Sequence, residues 1–543
     1  MDSGLSPDST LLAIVAYARS GALDHAWRLF AEAGLNRIDD DPAVLSVRGR
    51  LLKDRALAAS AGAERRRYYL DAAEAYAASG RLGGATYPLI NAATLSLLAG
   101  EPERSRTLAG QVLDRLDRGE AEPDTPYYHA ATRAEALLLV GRVGEARAMF
   151  ADAISVAPRA WEDHASSLRQ FALILDELNE DKGWLDPLRP PRCLHFAGHI
   201  ALASDEAAAG RQIRQLLDRE NVGFGYGALA AGADIMIAEV LLERGAELHL
   251  ILPGGRRAFE DASVAGFGGG WAARFERALE RADSVRGVGD LDDPSLRLGV
   301  ILGAEAAMGQ AVMHAEMLTT EAVQLLILDE AAAAPGGDGA SGWIRSAWQA
   351  SGRRQHVIAA PRARRERPPA PPSAETSACL AAEFRIELSG GDGGELAPAR
   401  WIAGEVFPAL SRALTEGPSP MVAPRWSNGG VWMAYGGVAD GARAALALAQ
   451  ALKDVAGFRI AGCYGVAHQA RDPFDGAPIL LGRAVGMLAQ MIASVPPDAV
   501  HVTEDFAAAL HAGAAEGRPR TEYVGDLPAS DPEEPIRLYA LKR

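Results

Sequence analysis

Residues 221–253 read NVGFGYGALAAGADIMIAEVLLERGAELHLILP, and this stretch decides the fold of the middle of the chain. A glycine-rich segment precedes a helical period, and ELHLILP is an uninterrupted apolar run, which is typical of a buried strand. Similar strands are predicted at 193–199, 323–330 and 356–360, with helical segments between them. Strands that alternate with helices in this way predict a parallel sheet with helices on both faces.

The bulk composition excludes several classes of protein. A length of 543 residues predicts roughly three or four domains. A net charge of −16 disfavours nucleic-acid binding, which needs a basic surface. The three cysteines form no CxxC pair, so we expect no disulfide and no metal site, and a cytoplasmic location fits. Neither a signal peptide nor an apolar run of about 18 residues is present, so we expect no membrane span.

Residues 1–182 carry a helical period, and one pattern of small and aromatic residues occurs twice in them. Its successive intervals are 4, 5, 4 and 3 residues, at Tyr17, Gly21, Ala26, Phe30 and Ala33 and again at Leu137, Gly141, Ala146, Phe150 and Ala153. The pattern resembles the tetratricopeptide repeat, in which glycine closes one helix, alanine lets two helices approach and the aromatic ring fills the gap. The resemblance implies stacked helix pairs that bind a protein partner. A generic helical bundle is the alternative.

Glycines in the middle segment are the candidates for a nucleotide site. A glycine turn that opens a helix presents free N–H groups to an anion, and the strand ends of a parallel sheet converge on one crevice. We therefore predict a phosphate-bearing ligand near Gly198, His199, Gly223, Gly225, Tyr226, Gly227, Gly232, Asp234, Gly336, Gly337 and Gly339. Tight backbone packing, or a loop that binds nothing, would produce the same glycines.

The stretch 225–253 also resembles the SLOG superfamily, which includes the Lonely Guy enzymes and the Rossmann-like DNA-processing proteins, and the resemblance covers about 189–360. It implies a nucleotide-derived ligand. The enzymatic members carry PGGxGTxxE, whereas this chain reads PGGDGASGW at 335–343, with Ala340 and Trp343 in place of threonine and glutamate. Loss of the glutamate removes the carboxylate that glycosidic-bond chemistry needs, and it favours a sensor over a hydrolase.

A proline-rich linker, PRARRERPPAPPSAETS (361–377), precedes the last segment. Residues 378–543 resemble a class III nucleotidyl cyclase domain through SNGGVWMAY (427–435), DAVHVTEDFAAAL (498–510) and the closing stretch 525–543. The resemblance implies a ferredoxin-like α/β sheet that dimerises, with active sites built between two subunits. Two metal-binding carboxylates, an asparagine and an arginine would perform the chemistry.

The chain departs from that cyclase pattern where the chemistry lies. The first metal carboxylate corresponds to Glu383, and the second metal position is Gly429. The asparagine position is Gly486, and the arginine position is Gln490. Glycine has no ligand atom and glutamine has no charge for the phosphates, so these replacements predict loss of catalysis. A cyclase that is active only with a different partner subunit is the alternative.

Together these features predict a multidomain α and α/β protein. It has tetratricopeptide-like helices at 1–182, a Rossmann-like doubly wound sheet at 189–360 and a ferredoxin-like, degenerate cyclase domain at 378–543. The combination is typical of bacterial signal transduction. We expect a nucleotide-sensing regulatory protein with a protein partner and no assigned cofactor, in which the cyclase-like domain dimerises or relays the signal. A partner-dependent cyclase, a SLOG-type nucleotide hydrolase and a plain scaffold are the alternatives.

Overall fold

A computed structural model of the chain describes residues 7–119, 125–200, 206–289, 297–329, 340–361, 378–390, 397–427, 430–528 and 535–543. It divides into two compact units. The first unit is Met1–Pro190 with Met317–Thr319, and the second is Pro191–Glu316 with Thr320–Arg543.

The first unit is helical throughout its described residues, as the sequence predicts. Its helices are α1 (Pro7–Arg19), α2 (Leu23–Glu32), α3 (Pro42–Ala58), α4 (Ala63–Gly83), α5 (Thr86–Leu98), α6 (Pro102–Asp117), α7 (Pro126–Leu139), α8 (Val143–Val156) and α9 (Trp161–Leu178). Short 3₁₀ turns lie at Leu35–Arg37 and Gly183–Leu188. The Asp41 carboxylate caps α3 by accepting from the N–H groups of Ala43 and Val44, which no helical carbonyl can reach.

The twice-repeated sequence pattern takes the same form at both places. Gly21 and Gly141 have φ of 87° and 85°, a left-handed conformation that lets α1 turn into α2 and α7 turn into α8. Ala26, Phe30 and Phe150 are fully buried, at 0% exposure. The small residue therefore brings the paired helices together, and the aromatic ring fills the space beside it.

The second unit begins with a six-stranded sheet that we call the parallel sheet. Its spatial order is β4-β3-β2-β1-β5-β6, and every described pairing in it is parallel. The strands are β1 (Arg192–Gly198), β2 (Val222–Gly227), β3 (Glu247–Pro253), β4 (Ser284–Val288), β5 (Ala322–Leu328) and β6 (Gln355–Ala359). The helices are α10 (Glu206–Arg219), α11 (Ala233–Glu243), α12 (Arg256–Ser263), α13 (Trp271–Arg281), α14 (Arg297–Met317) and α15 (Ala340–Ala350), with a 3₁₀ turn at Ala265–Phe267.

Adjacent residues of β2 show that helices cover both faces of the parallel sheet. A Cβ at Gly225 would overlap Leu241 of α11. The next residue, Tyr226, hydrogen-bonds to His314 of α14 through its hydroxyl at 2.6 Å. Because successive side chains of a strand point to opposite faces, α11 and α14 lie on opposite sides. The predicted parallel sheet with two helical layers is therefore confirmed.

The rest of the second unit is an eight-stranded sheet that we call the mixed sheet. Its order is β13-β14-β12-β10-β7-β9-β8, with β11 paired to β10, and only the pairing of β10 with β12 is parallel among the described pairings. The strands are β7 (Ala378–Ser389), β8 (Val422–Ser427), β9 (Gly430–Tyr435), β10 (Gly457–Arg471), β11 (Pro478–Leu481), β12 (Ala499–Thr503), β13 (Arg520–Leu527) and β14 (Ile536–Lys542). The helices are α16 (Ala397–Trp401), α17 (Phe407–Glu416), α18 (Val438–Leu452), α19 (Ala484–Ile492) and α20 (Glu504–Ala512), with a π turn at Ile402–Val406.

The first part of the mixed sheet follows a recognisable topology. Between β7 and β10 the chain runs strand, helix, two strands, helix, strand, and these four strands lie in the order β10-β7-β9-β8. This arrangement of a split βαβ unit is the ferredoxin-like topology.

Helices α14 and α20 join the two sheets of the second unit. A Cβ at Gly309 of α14 would overlap the Ala508 carbonyl of α20, so the helices touch there at backbone distance. The Tyr464 hydroxyl donates to Glu305 of α14 at 3.0 Å. Arg518 donates to Glu316 at 2.5 Å. The two sheets therefore share a closely packed interface inside one compact unit.

One helix among the described residues is long and apolar enough to cross a membrane, and it is Leu298–Met317 of α14. About two thirds of it is buried inside the protein.

Candidate functional site

Three of the glycines predicted to form a ligand-binding turn lie inside a strand instead. Gly223, Gly225 and Gly227 belong to β2, and the turn that opens α11 comes later, at residues 228–232. Packing explains them, because a Cβ at Gly223 would lie 2.5 Å from Pro191, and one at Gly227 would lie 2.6 Å from the Phe196 carbonyl oxygen. The predicted turn at 223–227 is thus wrong, and the tight-packing interpretation accounts for these positions.

Gly232 and Asp234 do lie at the start of α11, where the predicted crevice should be. Gly232 precedes the helix with φ of 112°, a conformation that favours glycine. The Asp234 carboxylate accepts from the N–H groups of Ala230, at 3.2 Å, and Gly198. Burial raises the Asp234 pKa to about 7, although those two hydrogen bonds oppose the shift. The protein's own carboxylate therefore already occupies backbone donors that a phosphate would use.

The other residues that the sequence predicted for the nucleotide crevice do not all lie together. His199 is buried and donates from Nε2 to the Ala360 carbonyl at 2.8 Å, which ties the end of β1 to the end of β6. The Tyr226 ring stacks on His249 beneath α14, away from α11. Gly336, Gly337 and Gly339 lie outside the described residues. The structure thus brings Gly198, Gly232 and Asp234 together and places Gly223 and Tyr226 elsewhere.

The four positions that correspond to the catalytic residues of a cyclase do not all lie together either. Glu383 is 2% exposed in the middle of β7, and burial raises its pKa to about 7. Gly429 lies outside the described residues. Gly486 and Gln490 lie one turn apart on α19, where Gln490 donates from its amide to the Pro528 carbonyl at 2.7 Å. Among the described positions, therefore, only those expected for the asparagine and the arginine lie together.

Gly486 and Gln490 face a cavity that we call the inter-sheet cavity, with a volume of about 540 Å³. One wall comes from β4, β3 and α14 of the parallel sheet, and the other comes from α19, the start of α20 and β14 of the mixed sheet. Its ionisable lining residues are Arg286, Arg483, Glu504, Asp505 and Arg537. Its amide and apolar lining residues include Gln310, Gln490, Leu250, Val285, Met487 and Ile536.

Arg286 is the centre of the charged network in this cavity. Its Nη1 lies 2.6 Å from the Asp505 carboxylate and 3.3 Å from that of Glu504. Arg537 also pairs with Glu504, at 3.2 Å. Nε and Nη2 of Arg286 are buried and have no hydrogen-bond partner within the described structure. A buried guanidinium with two unused donors is unfavourable, and an anionic ligand would supply the missing acceptors.

Helix α19 contributes one continuous face to the cavity. Arg483, Gly486, Met487 and Gln490 have the i, i+3, i+4, i+7 spacing that places residues on one side of a helix. Open space surrounds Gly486, since a Cβ there would meet no atom within 4 Å. A side chain at this position would project into the cavity, so glycine keeps the volume available.

Sequence reasoning identified Gly486 and Gln490, but only as positions that had lost their chemistry. It missed Arg286, Arg483 and Arg537. These arginines come from β4, from the residue before α19 and from β14. No motif joins them in the sequence, and the only available signal was the proximity of Arg483 to the two cyclase positions.

The described residues contain no group of three or more histidine, cysteine, aspartate or glutamate side chains that could hold a metal ion. Glu504 and Asp505 are the acidic residues of the cavity lining, and both lie against Arg286.

Comparison with known proteins gives a family match for the first unit only. The family model described as Tetratricopeptide Repeats-Sensor matches residues 7–96, which span α1 to most of α5. No curated protein sequence matches the chain.

Solved structures that resemble the chain include nucleotide cyclases. The adenylyl cyclase CyaB from P. aeruginosa is 12% identical, covers 31% of this chain and 97% of its own, and has a TM-score of 0.27. The guanylate cyclase domain of RhGC from Catenaria anguillulae, solved in complex with GTP, is 10% identical. It covers 30% of this chain and 96% of its own, and its TM-score is 0.26. A structure of adenylate cyclases from Trypanosoma brucei is 12% identical. It covers 30% of this chain and 87% of its own, and its TM-score is 0.25.

Proposed function

We propose that the protein is a non-catalytic regulatory protein that senses a nucleotide. The second unit binds the phosphate-bearing ligand in the inter-sheet cavity, and the helices of the first unit bind a protein partner. The observation that carries this proposal is the cavity itself, which contains three arginines and whose Arg286 keeps two buried donors without a partner.

The size and lining of the cavity suit a nucleotide. Sites for small molecules commonly measure 300–1,000 Å³ and combine apolar walls with a few polar groups that fix orientation. Here arginines provide the phosphate-binding groups, since guanidinium forms bidentate hydrogen bonds with phosphate. Leu250, Met487 and Ile536 provide apolar surface for a base or a sugar. Both sheets contribute to the walls, so a bound ligand would stabilise their mutual contact.

The same residues argue against nucleotide cyclisation at this site. Gly486 has no side chain to orient a ribose, and the Gln490 amide is already bound to the Pro528 carbonyl. Glu383 lies on β7 outside the cavity lining, and burial raises its pKa to about 7, which disfavours the ionised carboxylate that a metal ion needs. We therefore assign the mixed sheet the role of a binding wall and a relay rather than of a catalyst.

The first unit is proposed to bind a protein because of its repeat architecture. Stacked helix pairs form extended surfaces that serve as protein-binding sites in repeat proteins. The matching family model is described as a sensor, which agrees with a role in signal detection. Homodimerisation of the mixed sheet, and a SLOG-type origin of the parallel sheet, remain part of this proposal.

Calorimetry of the full chain against ATP, GTP, their 5′-monophosphates and their cyclic monophosphates tests the proposal. At least one nucleotide should bind, and at 100 times its Kd it should stabilise the second unit by about 2.7 kcal/mol. Arg483→Met should weaken binding at least tenfold. Arg412→Met is the matched control, because Arg412 lies exposed on α17, outside the cavity lining, and should leave binding unchanged.

Two outcomes would contradict the proposal. A well-folded chain that binds none of these nucleotides is not a nucleotide sensor. Binding that Arg483→Met leaves intact would move the site away from the inter-sheet cavity, for example to the crevice beside Gly232 and Asp234.

A further inference from the structure

A buried histidine lies where the C-terminal ends of α14 and α20 meet. His511, in the last turn of α20, is 5% exposed, and its Nδ1 atom is 3.0 Å from the carboxylate of Glu316 in the last turn of α14. Its other ring nitrogen, Nε2, is 2.8 Å from the Thr521 hydroxyl of β13. Arg518 donates to the same Glu316 carboxylate at 2.5 Å. We call these four residues the histidine latch, because they connect α14 beside the parallel sheet with α20 and β13 of the mixed sheet.

We propose that the histidine latch is an acid-sensitive contact, which holds the two sheets of the second unit together while His511 is neutral and loosens when His511 takes up a proton. The latch does not depend on which ligand the inter-sheet cavity binds.

The neutral ring of His511 suits both of its neighbours. A neutral imidazole carries one proton, and on Nδ1 that proton faces the Glu316 carboxylate, which when ionised can only accept. The Thr521 hydroxyl can then donate to Nε2. No second proton is needed to hold the ring in place.

A second proton would add a positive charge where two arginines already lie. Arg518 donates to the carbonyl of His511 at 3.3 Å, and Arg353 donates to the next two carbonyls of the chain at 3.4 and 3.0 Å. The negative end of a helix normally favours a protonated histidine, but here these arginines already occupy the terminal carbonyls of α20. The Glu316 carboxylate is likewise already paired with Arg518.

The electrostatic surroundings of the ring agree with this geometry. Burial lowers the pKa of His511, and the charges of Arg518 and Arg353 lower it further, whereas Glu316 opposes the shift. Burial raises the pKa of Glu316, but His511 and Arg518 hold it at about 2, so this carboxylate stays ionised where histidine titrates. Strands β10, β12 and β14 and helix α18 also pack against α20, and their described residues place no further charge beside the ring.

A lowered pKa makes the latch weaker in acid. In the unfolded chain His511 titrates with a pKa of about 6.5, so below that pH the unfolded state binds a proton that the folded latch resists. The latch therefore contributes its full stability above about pH 6.5 and loses it as the pH falls toward the pKa of the folded state. Helix α20 carries Glu504 and Asp505 of the cavity wall in its first turn, so a loosened latch would loosen that wall as well.

Urea unfolding of the full chain at pH 8 and pH 5.5 tests the latch, with His511→Gln as the variant whose side chain cannot take up a proton. At pH 5.5 an unfolded histidine is about 90% protonated. The acid-induced rise in the unfolding equilibrium constant should therefore be about three- to tenfold larger in the parent chain than in His511→Gln. His468→Gln is the matched control, because His468 is an exposed histidine of β10 outside the latch, and this variant should keep the pH dependence of the parent chain.

Two further measurements locate the effect. At pH 5.5, peptides that cover 306–316 and 504–512 should exchange hydrogen faster in the parent chain than in His511→Gln, whereas at pH 8 they should exchange no faster. In protein labelled with carbon-13 histidine, the resonance that is lost in His511→Gln gives the pKa of His511 directly, and that pKa should lie below 6.5. Glu316→Gln should lower it further, because it removes the carboxylate that opposes the shift.

The results that would overturn the latch are distinct from those of nucleotide binding. A His511 resonance that titrates at or above pH 6.5 would mean that protonation strengthens the contact. The same pH dependence in the parent chain and in His511→Gln would mean that another group is responsible. If His511→Gln fails to fold, the resonance that moves in Glu316→Gln identifies His511, and a spectrum in which no histidine pKa falls would equally overturn the latch. The proposed nucleotide sensor stands or fails on its own calorimetry.

Discussion

Replacing Gly309 with alanine should reverse the usual effect of that substitution in a helix. Gly309 lies in the interior of α14, where alanine is normally favoured over glycine by about 0.5–1 kcal/mol. Here the added Cβ would overlap the Ala508 carbonyl, and it would lie 2.6 Å from the Ala508 Cα atom. The neighbouring atoms are backbone atoms of α20, which cannot rotate away as a side chain can. The two helices must therefore separate.

The magnitude follows from the cost of overpacking. Forcing one methyl group into a close-packed contact typically costs about 1–3 kcal/mol, and the same displacement would strain the Tyr464–Glu305 and Arg518–Glu316 contacts between the sheets. We expect Gly309→Ala to lower the free energy of unfolding of the second unit by about 1–3 kcal/mol. Gly210→Ala, in α10 with no atom within 4 Å, should raise that free energy by about 0.5–1 kcal/mol.

Urea unfolding of both variants and the parent chain, followed by circular dichroism, gives the stabilities. Hydrogen exchange of peptides that cover 298–316 and 504–512 locates the change, since these segments should lose protection together in Gly309→Ala and keep it in Gly210→Ala. If Gly309→Ala is as stable as Gly210→Ala, the close contact of α14 with α20 does not exist in solution, and the shared interface of the two sheets would have to be abandoned.

Three further results are expected. Ala26→Leu should destabilise the first unit by about 1–3 kcal/mol, because Ala26 is fully buried, whereas Ala31→Leu on the exposed face of α2 should change its stability by less than about 0.5 kcal/mol. Thermal unfolding of the two variants measures the difference, and equal shifts of the unfolding temperature would argue against the paired-helix packing. Glu383→Gln should stabilise the protein at pH 8 and have little effect below pH 4.5, because a buried carboxyl whose pKa rises to about 7 opposes folding only at a pH where it must ionise. Urea unfolding midpoints measured at both pH values test the sign of this effect. An unchanged midpoint at pH 8 would contradict the prediction. Purified protein with Mn²⁺ and ATP or GTP should form no cyclic nucleotide, because Gly486 and Gln490 supply neither a ribose ligand nor a transition-state cation, and metal-dependent product in mass spectrometry would disprove this.

The sequence predicted the helices, the strands and the layers they form wherever the local residue pattern agrees with the burial of those residues. The alanine and aromatic spacing of the first unit predicted paired helices, because a small residue allows two helices to approach and an aromatic ring fills the space beside it. The apolar runs of β1, β3 and β5 predicted a buried parallel sheet because strands covered on both faces need no polar alternation. Local sequence could not place Gly223, Gly225 and Gly227, since a glycine that opens a turn and a glycine that a neighbouring side chain crowds look alike until the neighbour is known.

The cavity belongs to the tertiary structure alone. Its charged groups come from β4, from the start of α19 and α20 and from β14, segments up to about 250 residues apart whose local sequences share no spacing. The sequence determined which residues had lost the chemistry of a cyclase, because that depends only on the side chain present at a position. It did not determine what now faces those positions. The contact between the two sheets brings Arg286 against Glu504 and Asp505, and such long-range contacts leave no periodic pattern in the sequence.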